Sequence, residues 1–199
     1  MGGPSTLDEV GPFLSRLFAD KDLIPLPFQS LLAPWIARRR TPMIKEQYAA
    51  IGGGSPIKHW TEQQGLHLTN WLNKNCASMG NFSSYVGFRY AAPLVSDAVL
   101  KMKQDGIETA IALSLYPQYS CSTTGSSLNE LYRQIHAHKT DMDWSVIDRW
   151  STHSGLINTF ASHINSSLEE YPEEERGDVV LIFSAHSLPM SVVNRGGNL

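Results

Sequence analysis

Apolar residues along the chain form two kinds of pattern. One is a continuous run, typical of buried strands, and the other is a spacing of three to four residues, typical of helices. Residues 109–115 and 179–183 are largely apolar throughout, as strands of a parallel sheet are when both faces are covered. Residues 157–168 instead carry an apolar position every three or four residues, which predicts an amphipathic helix. The predicted order is strand 85–90, helix 96–105, strand 109–115, helix 128–136, strand 144–150, helix 157–168 and strand 179–183. This alternation predicts an α/β fold with a parallel sheet flanked by helices.

The segment 23–40 is apolar at first and basic at its end. Residues 23–36 combine large apolar side chains with several prolines, and arginines follow at 38–40. The apolar side chains fit a buried core, but an apolar stretch beside a basic cluster equally fits a membrane surface, where arginines meet anionic groups. The pattern leaves both interpretations open. Thr41 and Pro42 then predict the start of a helix, because proline is tolerated at the first helical position.

Composition and charge exclude several functional classes. Of the 199 residues, 42% are hydrophobic and 18% are charged, so the chain can bury a sizeable core. A formal net charge of −3 provides no broad basic surface, so nucleic acid is not expected as a partner. The two cysteines, Cys76 and Cys121, match no zinc or redox spacing and indicate a reducing compartment. No stretch approaches the roughly 18 apolar residues of a membrane-spanning helix.

Polar and aromatic side chains follow each predicted strand at its carboxyl end. Ligands of open parallel sheets bind beyond these ends, so residues that end different strands are expected to meet at one edge. Their convergence is a stronger signal than any single residue. The residues concerned are Arg89 and Tyr90, residues 116–121 with Tyr116 and Cys121, residues 150–153 with Trp150 and His153, and residues 184–187 with His186.

Three of these residues could bind a metal, and each also has a purely structural interpretation. His186 could carry protons near neutral pH or bind a metal, or it could be hydrogen-bonded within a loop. His153 could be a ligand or a proton relay, or it could begin a helix. Taken singly, the structural interpretation is favoured for both histidines. Cys121 lies among hydroxyl-bearing residues, which could tune a metal-bound thiolate or simply begin a helix. The glycines at 52–54 resemble a phosphate-binding loop but lack the lysine and the spacing of nucleotide-binding motifs.

Two long motifs carry a family resemblance. They are Tyr-Pro-Gln-Tyr-Ser-Cys-Ser-Thr-Thr-Gly-Ser-Ser at 116–127 and Phe-Ser-Ala-His-Ser-Leu-Pro-Met at 183–190. Shorter matching segments lie at 1–4, 39–42, 51–57, 87–90 and 147–150, together with Tyr48. Over nearly its whole length the chain resembles the ferrochelatases, and most closely the animal type.

The resemblance implies a lyase that inserts ferrous iron into protoporphyrin IX to form protoheme, the terminal step of heme and porphyrin biosynthesis. The implied fold is chelatase-like and Rossmann-type, with two similar α/β lobes and the porphyrin between them. Residues 1–199 would be the N-terminal α/β lobe, with its first strand and the second lobe lying outside this sequence. The implied location is the matrix side of the mitochondrial inner membrane, peripherally bound through a lip at residues 23–40. The full-length form is expected to be a homodimer.

The resemblance also implies roles for individual residues. His186 matches the catalytic histidine, which would take pyrrole protons or contact the iron, because iron binds the deprotonated macrocycle. Cys121 matches one of four ligands of a 2Fe-2S cluster, and His153 remains a candidate metal contact. The positions that match the porphyrin pocket or the metal path are Met1, Arg40, Tyr48, Ser55, Arg89, Tyr90, Tyr116 and Trp150.

Several departures from the family pattern lower the expected activity of these 199 residues. The three other cluster cysteines and the acidic residues opposite the histidine belong to the second half of the family's sequence. Met43 stands where the family often has a lysine, so one propionate contact is in doubt. The turn-like start at residues 1–4 and the end at 195–199 both resemble interior segments, so we expect a fragment of a longer protein. The alternative to a working chelatase is a catalytically inactive fragment that acts at most as a porphyrin-binding module.

Overall fold

A computed structural model describes residues 1–21, 23–184 and 190. The chain divides into two compact units. The first comprises Met1–Ala110 and Gly125–Trp144, and the second comprises Ile111–Thr124 and the residues from Ser145 onwards. The helices are α1 (Val10–Ala19), α2 (Gln29–Ala50), α3 (Ile57–Asn75), α4 (Val95–Gln104), α5 (Ser126–His138) and α6 (Ser154–Glu169), and the strands are β1 (Thr109–Leu113) and β2 (Asp143–Ile147).

Helices α1 and α2 form an apolar hairpin at the start of the chain. Val10, Leu14 and Phe18 recur every four residues, so they share one face of α1 and are buried there. Ala33 and Ala37 lie one turn apart on α2 and belong to the same cluster. Their small side chains let the two backbones approach closely. Burying the three large side chains contributes roughly 1.5–3 kcal/mol each, which is enough to hold an otherwise irregular segment as a helix.

Helix α2 corrects the predicted start at Thr41 and Pro42. It begins at Gln29 and runs unbroken through both Pro34 and Pro42 to Ala50. A proline inside a helix removes a backbone hydrogen bond and costs about 3 kcal/mol. Both prolines lie on the exposed side, where their rings do not disturb the packing on α1. The face of α2 that packs on α1 is buried, and the stability gained by this burial outweighs the helix-breaking propensity of the two prolines.

The predicted parallel sheet flanked by helices is confirmed, and in the described part of the chain it consists of two strands, β1 and β2. The amide of Asp143 donates to the carbonyl of Glu108 at 2.8 Å, and the amide of Ser114 donates to the carbonyl of Ile147 at 2.9 Å. Both strands therefore advance together, which is the parallel arrangement of β1 and β2. Helix α4 covers β1 through a cluster that includes Val99 and Ala110.

Two predicted strands are wrong. Residues 85–90 form only a single bridge, between Phe88 and Leu94. Residues 179–183 have no regular structure, and Val180 and Ile182 are exposed. Apolar content predicts burial, but a strand also needs a neighbour for its backbone groups. Within the described part of the chain, no neighbouring strand pairs with either segment. None of the helices described combines the length and apolarity of a membrane crossing.

Candidate functional site

The first five residues of the chain lie against two loops of the first unit. The amide of Tyr90 donates to the carbonyl of Met1 at 3.1 Å, and the amide of Ser55 donates to the carbonyl of Pro4 at 2.7 Å. A Cβ at Gly54 would stand 2.1 Å from the carbonyl oxygen of Ser5, so only glycine allows this approach. Gly54 therefore serves a close backbone contact with the start of the chain. Met1 and Tyr90 are thus in contact, and Ser55 contacts Pro4 of the same segment; their assignment to a porphyrin pocket stays a prediction.

Arg89 is held by three partners from distant parts of the first unit. Its Nη2 donates to Oδ2 of Asp20 at 2.8 Å, and its Nη1 donates to Oε2 of Glu130 at 2.6 Å. Its Nε donates to the hydroxyl of Ser126 at 3.3 Å. The side chains of Arg89 and Asp20 are only 12% and 6% exposed. A guanidinium fork with partners on three nitrogens has a fixed plane and direction.

Tyr90 shares the same carboxylate. Its hydroxyl donates to Oδ2 of Asp20 at 2.5 Å, and its carbonyl accepts from Nη1 of Arg16 at 3.1 Å. Burial, reinforced by the hydrogen bond to Asp20, raises the pKa of Tyr90 to about 12. The raised pKa keeps the buried phenol protonated, and donating to Asp20, well above pH 10.

Arg40 and Tyr48 lie on α2 and belong to the hairpin. The guanidinium carbon of Arg40 lies 6.0 Å from the ring centre of Phe18. Tyr48 packs against the α1–α2 cluster, and burial raises the pKa of its phenol. A cavity of about 360 Å³ opens beside them, lined by Trp35, Ile36, Arg39, Arg40 and Met43.

The start of α2 displays large apolar side chains to solvent. We call this set the apolar tip: Phe28, Leu31 and Trp35, which are 80%, 72% and 57% exposed. Phe28 has a φ of 48°, a left-handed conformation that is uncommon for a bulky residue. Gln29 beside it is buried and fixes the loop before α2. Its Nε2 donates to the carbonyls of Phe18 and Ile24, and its Oε1 accepts from the amide of Leu26.

In the second unit, Ser114 connects two of the predicted porphyrin residues. The indole nitrogen of Trp150 donates to the carbonyl of Ser114 at 2.7 Å. The amide of Tyr116 donates to the hydroxyl of Ser114 at 3.3 Å, and that hydroxyl also lies 3.3 Å from the hydroxyl of Thr124. Burial raises the pKa of the Tyr116 phenol. The tryptophan and the tyrosine are thus held at the end of β1.

Cys121 begins a short turn, Cys121–Gly125, that leads into α5. Ser120 supports this turn, because its carbonyl accepts from the amide of Thr123 at 3.2 Å. The guanidinium of Arg149 stacks 4.7 Å from the ring centre of the neighbouring Tyr119. Burial, with a smaller contribution from Cys121, raises the pKa of the Tyr119 phenol.

The fit of a 2Fe-2S cluster to these residues is poor. Such a cluster needs four thiolate ligands, and this sequence has two cysteines, which lie in separate units. In the described ranges, no group of three or more His, Cys, Asp or Glu side chains is arranged for a metal ion. The chain's own residues therefore do not complete a cluster site.

The structure describes one of the two histidines that the sequence singled out, His153, and not the other, His186. His153 precedes α6, and its Nδ1 accepts from the amide of Gly155 at 3.1 Å. This contact makes His153 a helix-capping residue, which agrees with the structural interpretation of its sequence position. His186 lies outside the described residues, so its catalytic assignment stays a prediction.

Sequence analysis missed Asp20, Glu130 and Ser114. Asp20 and Glu130 are separated from Arg89 by 69 and 41 positions, so no local pattern connects them. The only available signal was that Asp20 follows the apolar face of α1 directly.

These units define an α/β protein that holds arginine, tyrosine and tryptophan side chains on loops next to its helices and strands. A sequence model of the family Ferrochelatase matches residues 1–198, so the chain belongs to the ferrochelatase family. It is 60% identical over 198 residues to the mitochondrial ferrochelatase of Xenopus laevis and 56% identical to that of Homo sapiens. These matches cover 98% of this chain and 48% and 47% of the relatives. The chain is also 44% identical over 213 aligned residues to the mitochondrial ferrochelatase of Dictyostelium discoideum. The chain thus spans about half the length of the curated relatives it matches.

Proposed function

We propose that this chain is the N-terminal porphyrin-handling part of a mitochondrial ferrochelatase, which inserts ferrous iron into protoporphyrin IX. The observation that carries the proposal is the joint placement of Met1, Ser55, Arg89 and Tyr90 along one segment of the first unit. These are four of the positions that the resemblance assigned to the porphyrin pocket or the metal path.

The chemistry of these residues suits a flat, apolar, dianionic ligand. Arg89 supplies a guanidinium of fixed direction, and Tyr90, which is 1% exposed and donates its hydroxyl to Asp20, supports it from behind. Considered by itself, the second unit holds Trp150 and Tyr116, two aromatic residues next to β1 that the resemblance also assigned to the porphyrin pocket or metal path. His186 would accept a pyrrole proton, since iron binds the macrocycle only after its two N–H protons leave. Arg40, beside a cavity on α2, would meet a propionate through a charge-assisted hydrogen bond.

A porphyrin titration of the purified chain tests the proposal. Fluorescence would follow binding to the parent chain, to Arg89→Ala and to His186→Ala. Arg176→Ala is the matched control, because that exposed arginine has hydrogen bonds, among the described residues, to the backbone carbonyls of Glu169 and Tyr171 and to no other group. We expect saturable binding that weakens in the two site variants and not in the control. The absence of saturable binding to the folded parent would refute the proposal for this chain.

The second candidate function is porphyrin binding without catalysis. The chain spans about half the length of its relatives, and a site with one wall orients a macrocycle poorly. We expect no zinc insertion into porphyrin above the uncatalysed rate, and no 2Fe-2S absorption after reconstitution. Zinc insertion by the parent that is lost in His186→Ala would show that the chain is a catalytic chelatase. The full-length protein is proposed to be a homodimer, which light scattering would measure.

The apolar tip is proposed to contact the matrix face of the mitochondrial inner membrane. Phe28, Leu31 and Trp35 are displayed beside three exposed arginines, and such a surface binds anionic lipid. Leu31→Gln is expected to weaken binding to anionic phospholipid vesicles about tenfold, the equivalent of one leucine left unburied. Leu66→Gln, at an exposed leucine of α3, is the control. Equal effects of both substitutions would contradict the assignment.

A further inference from the structure

The cluster around Arg89 is built from charges that are costly to bury. The side chains of Asp20, Arg89 and Glu130 are 6%, 12% and 17% exposed. Burying such ions costs several kcal/mol each, and apolar residues of similar size often give equal stability. Stability is therefore a weak explanation for the cluster, whereas a fixed direction for the guanidinium is something apolar packing cannot provide.

The three elements that meet here explain why the direction is fixed. Asp20 caps the end of α1, and Glu130 projects from the second turn of α5. The carboxylate of Asp20 accepts from both Arg89 and Tyr90, so one group sets the position of two neighbouring side chains. Three of the five N–H donors of Arg89 are used, one on each nitrogen. The two other donors lie in a plane that these contacts determine.

We propose that Asp20 and Glu130 are positioning residues for porphyrin binding, because they orient Arg89, and Asp20 also orients Tyr90. The inference rests on the proposed function, in which Arg89 faces the porphyrin and the buried Tyr90 lies beside it. It adds two residues to that site without giving either of them a contact to the ligand.

The test compares Asp20→Asn and Glu130→Gln with the parent chain. Asp105→Asn is a closely matched control, since Asp105 also accepts from a tyrosine hydroxyl and a basic side chain, those of Tyr85 and Lys101. One readout is porphyrin affinity by fluorescence titration. The other is the NMR signals of the Arg89 guanidinium, which are separate for each N–H when the group is held and merge when it rotates. Circular dichroism establishes that each variant is folded.

We expect both variants to bind porphyrin about tenfold more weakly, the equivalent of losing one well-made contact. We also expect the Arg89 signals to merge in both variants and stay separate in Asp105→Asn. Unchanged affinity with merged signals would overturn the positioning role and leave the proposed function intact. If the parent itself binds no porphyrin, the proposed function fails. The positioning role in porphyrin binding then fails with it, whereas separate Arg89 signals in both variants of a parent that binds porphyrin would overturn the inference alone.

A milder substitution covers the case in which a carboxylate variant does not fold. Ser126→Ala keeps both carboxylates and removes the contact to Nε of Arg89, the longest of the three at 3.3 Å, together with a hydrogen bond of the same hydroxyl to Tyr90. It is expected to weaken porphyrin binding about twofold to threefold, because a neutral hydrogen bond contributes less than an ionic one. Affinity equal to that of the parent, with unchanged Arg89 signals, would count against the proposal.

Discussion

Gln29 offers the sharpest test of how the apolar tip is held. The side chain is buried and makes three hydrogen bonds to backbone groups on either side of the loop before α2. Gln29→Met keeps the length and approximate volume of the side chain but removes all three bonds. The carbonyls of Phe18 and Ile24 and the amide of Leu26 then lose their partner.

The expected loss follows from the three contacts. Their donor–acceptor distances are 2.5, 3.0 and 2.8 Å, so all three are well formed. A backbone group left without a partner costs about 1–3 kcal/mol when buried, and these groups are partly buried. We therefore expect Gln29→Met to lower the free energy of unfolding by about 2–4 kcal/mol, a large part of the stability of a domain of this size.

Urea unfolding followed by circular dichroism measures this loss. Gln47→Met on the same helix is the control, because Gln47 is exposed and its replacement is expected to cost less than about 0.5 kcal/mol. Hydrogen exchange of the Leu26 amide adds a local readout and is expected to accelerate in Gln29→Met only. A loss below about 1 kcal/mol, or one equal to that of Gln47→Met, would refute the reasoning.

Two further predictions concern the candidate site. The raised pKa of Tyr90, about 12, makes the neutral phenol a stabilising group below its ordinary pKa near 10, and that stability is lost as pH rises through 12. Between pH 9 and 12, the free energy of unfolding should therefore fall by roughly 2–3 kcal/mol more in the parent than in Tyr90→Phe. Urea unfolding at each pH measures this, and an equal fall in both proteins would contradict the prediction. Trp150→Phe should cost about 1–2 kcal/mol, because the carbonyl of Ser114 loses its indole donor. Trp60→Phe, at an exposed tryptophan, should cost almost nothing in the same assay, and equal losses would argue against a role for the hydrogen bond.

The candidate site was only partly predictable from sequence. Arg89 and Trp150 could be named from the sequence because they lie in motifs that the resemblance assigns. Their hydrogen-bond partners, Asp20 and Ser114, could not be named, since neither lies in an assigned motif position and both are distant in the chain. Hydrogen bonds of this kind depend on which segments the fold brings together, and no local pattern reports that.

The sequence by itself determined the α/β class, the amphipathic helices and the membership of a family, because periodicity and motifs are local properties of the chain. It did not determine which apolar segments become strands, as residues 85–90 and 179–183 illustrate. It also placed the start of α2 incorrectly, since packing of Ala33 and Ala37 on α1 outweighs the helix-breaking effect of two prolines. Only tertiary structure decided these points, because burial and backbone pairing are satisfied between segments that are distant in sequence.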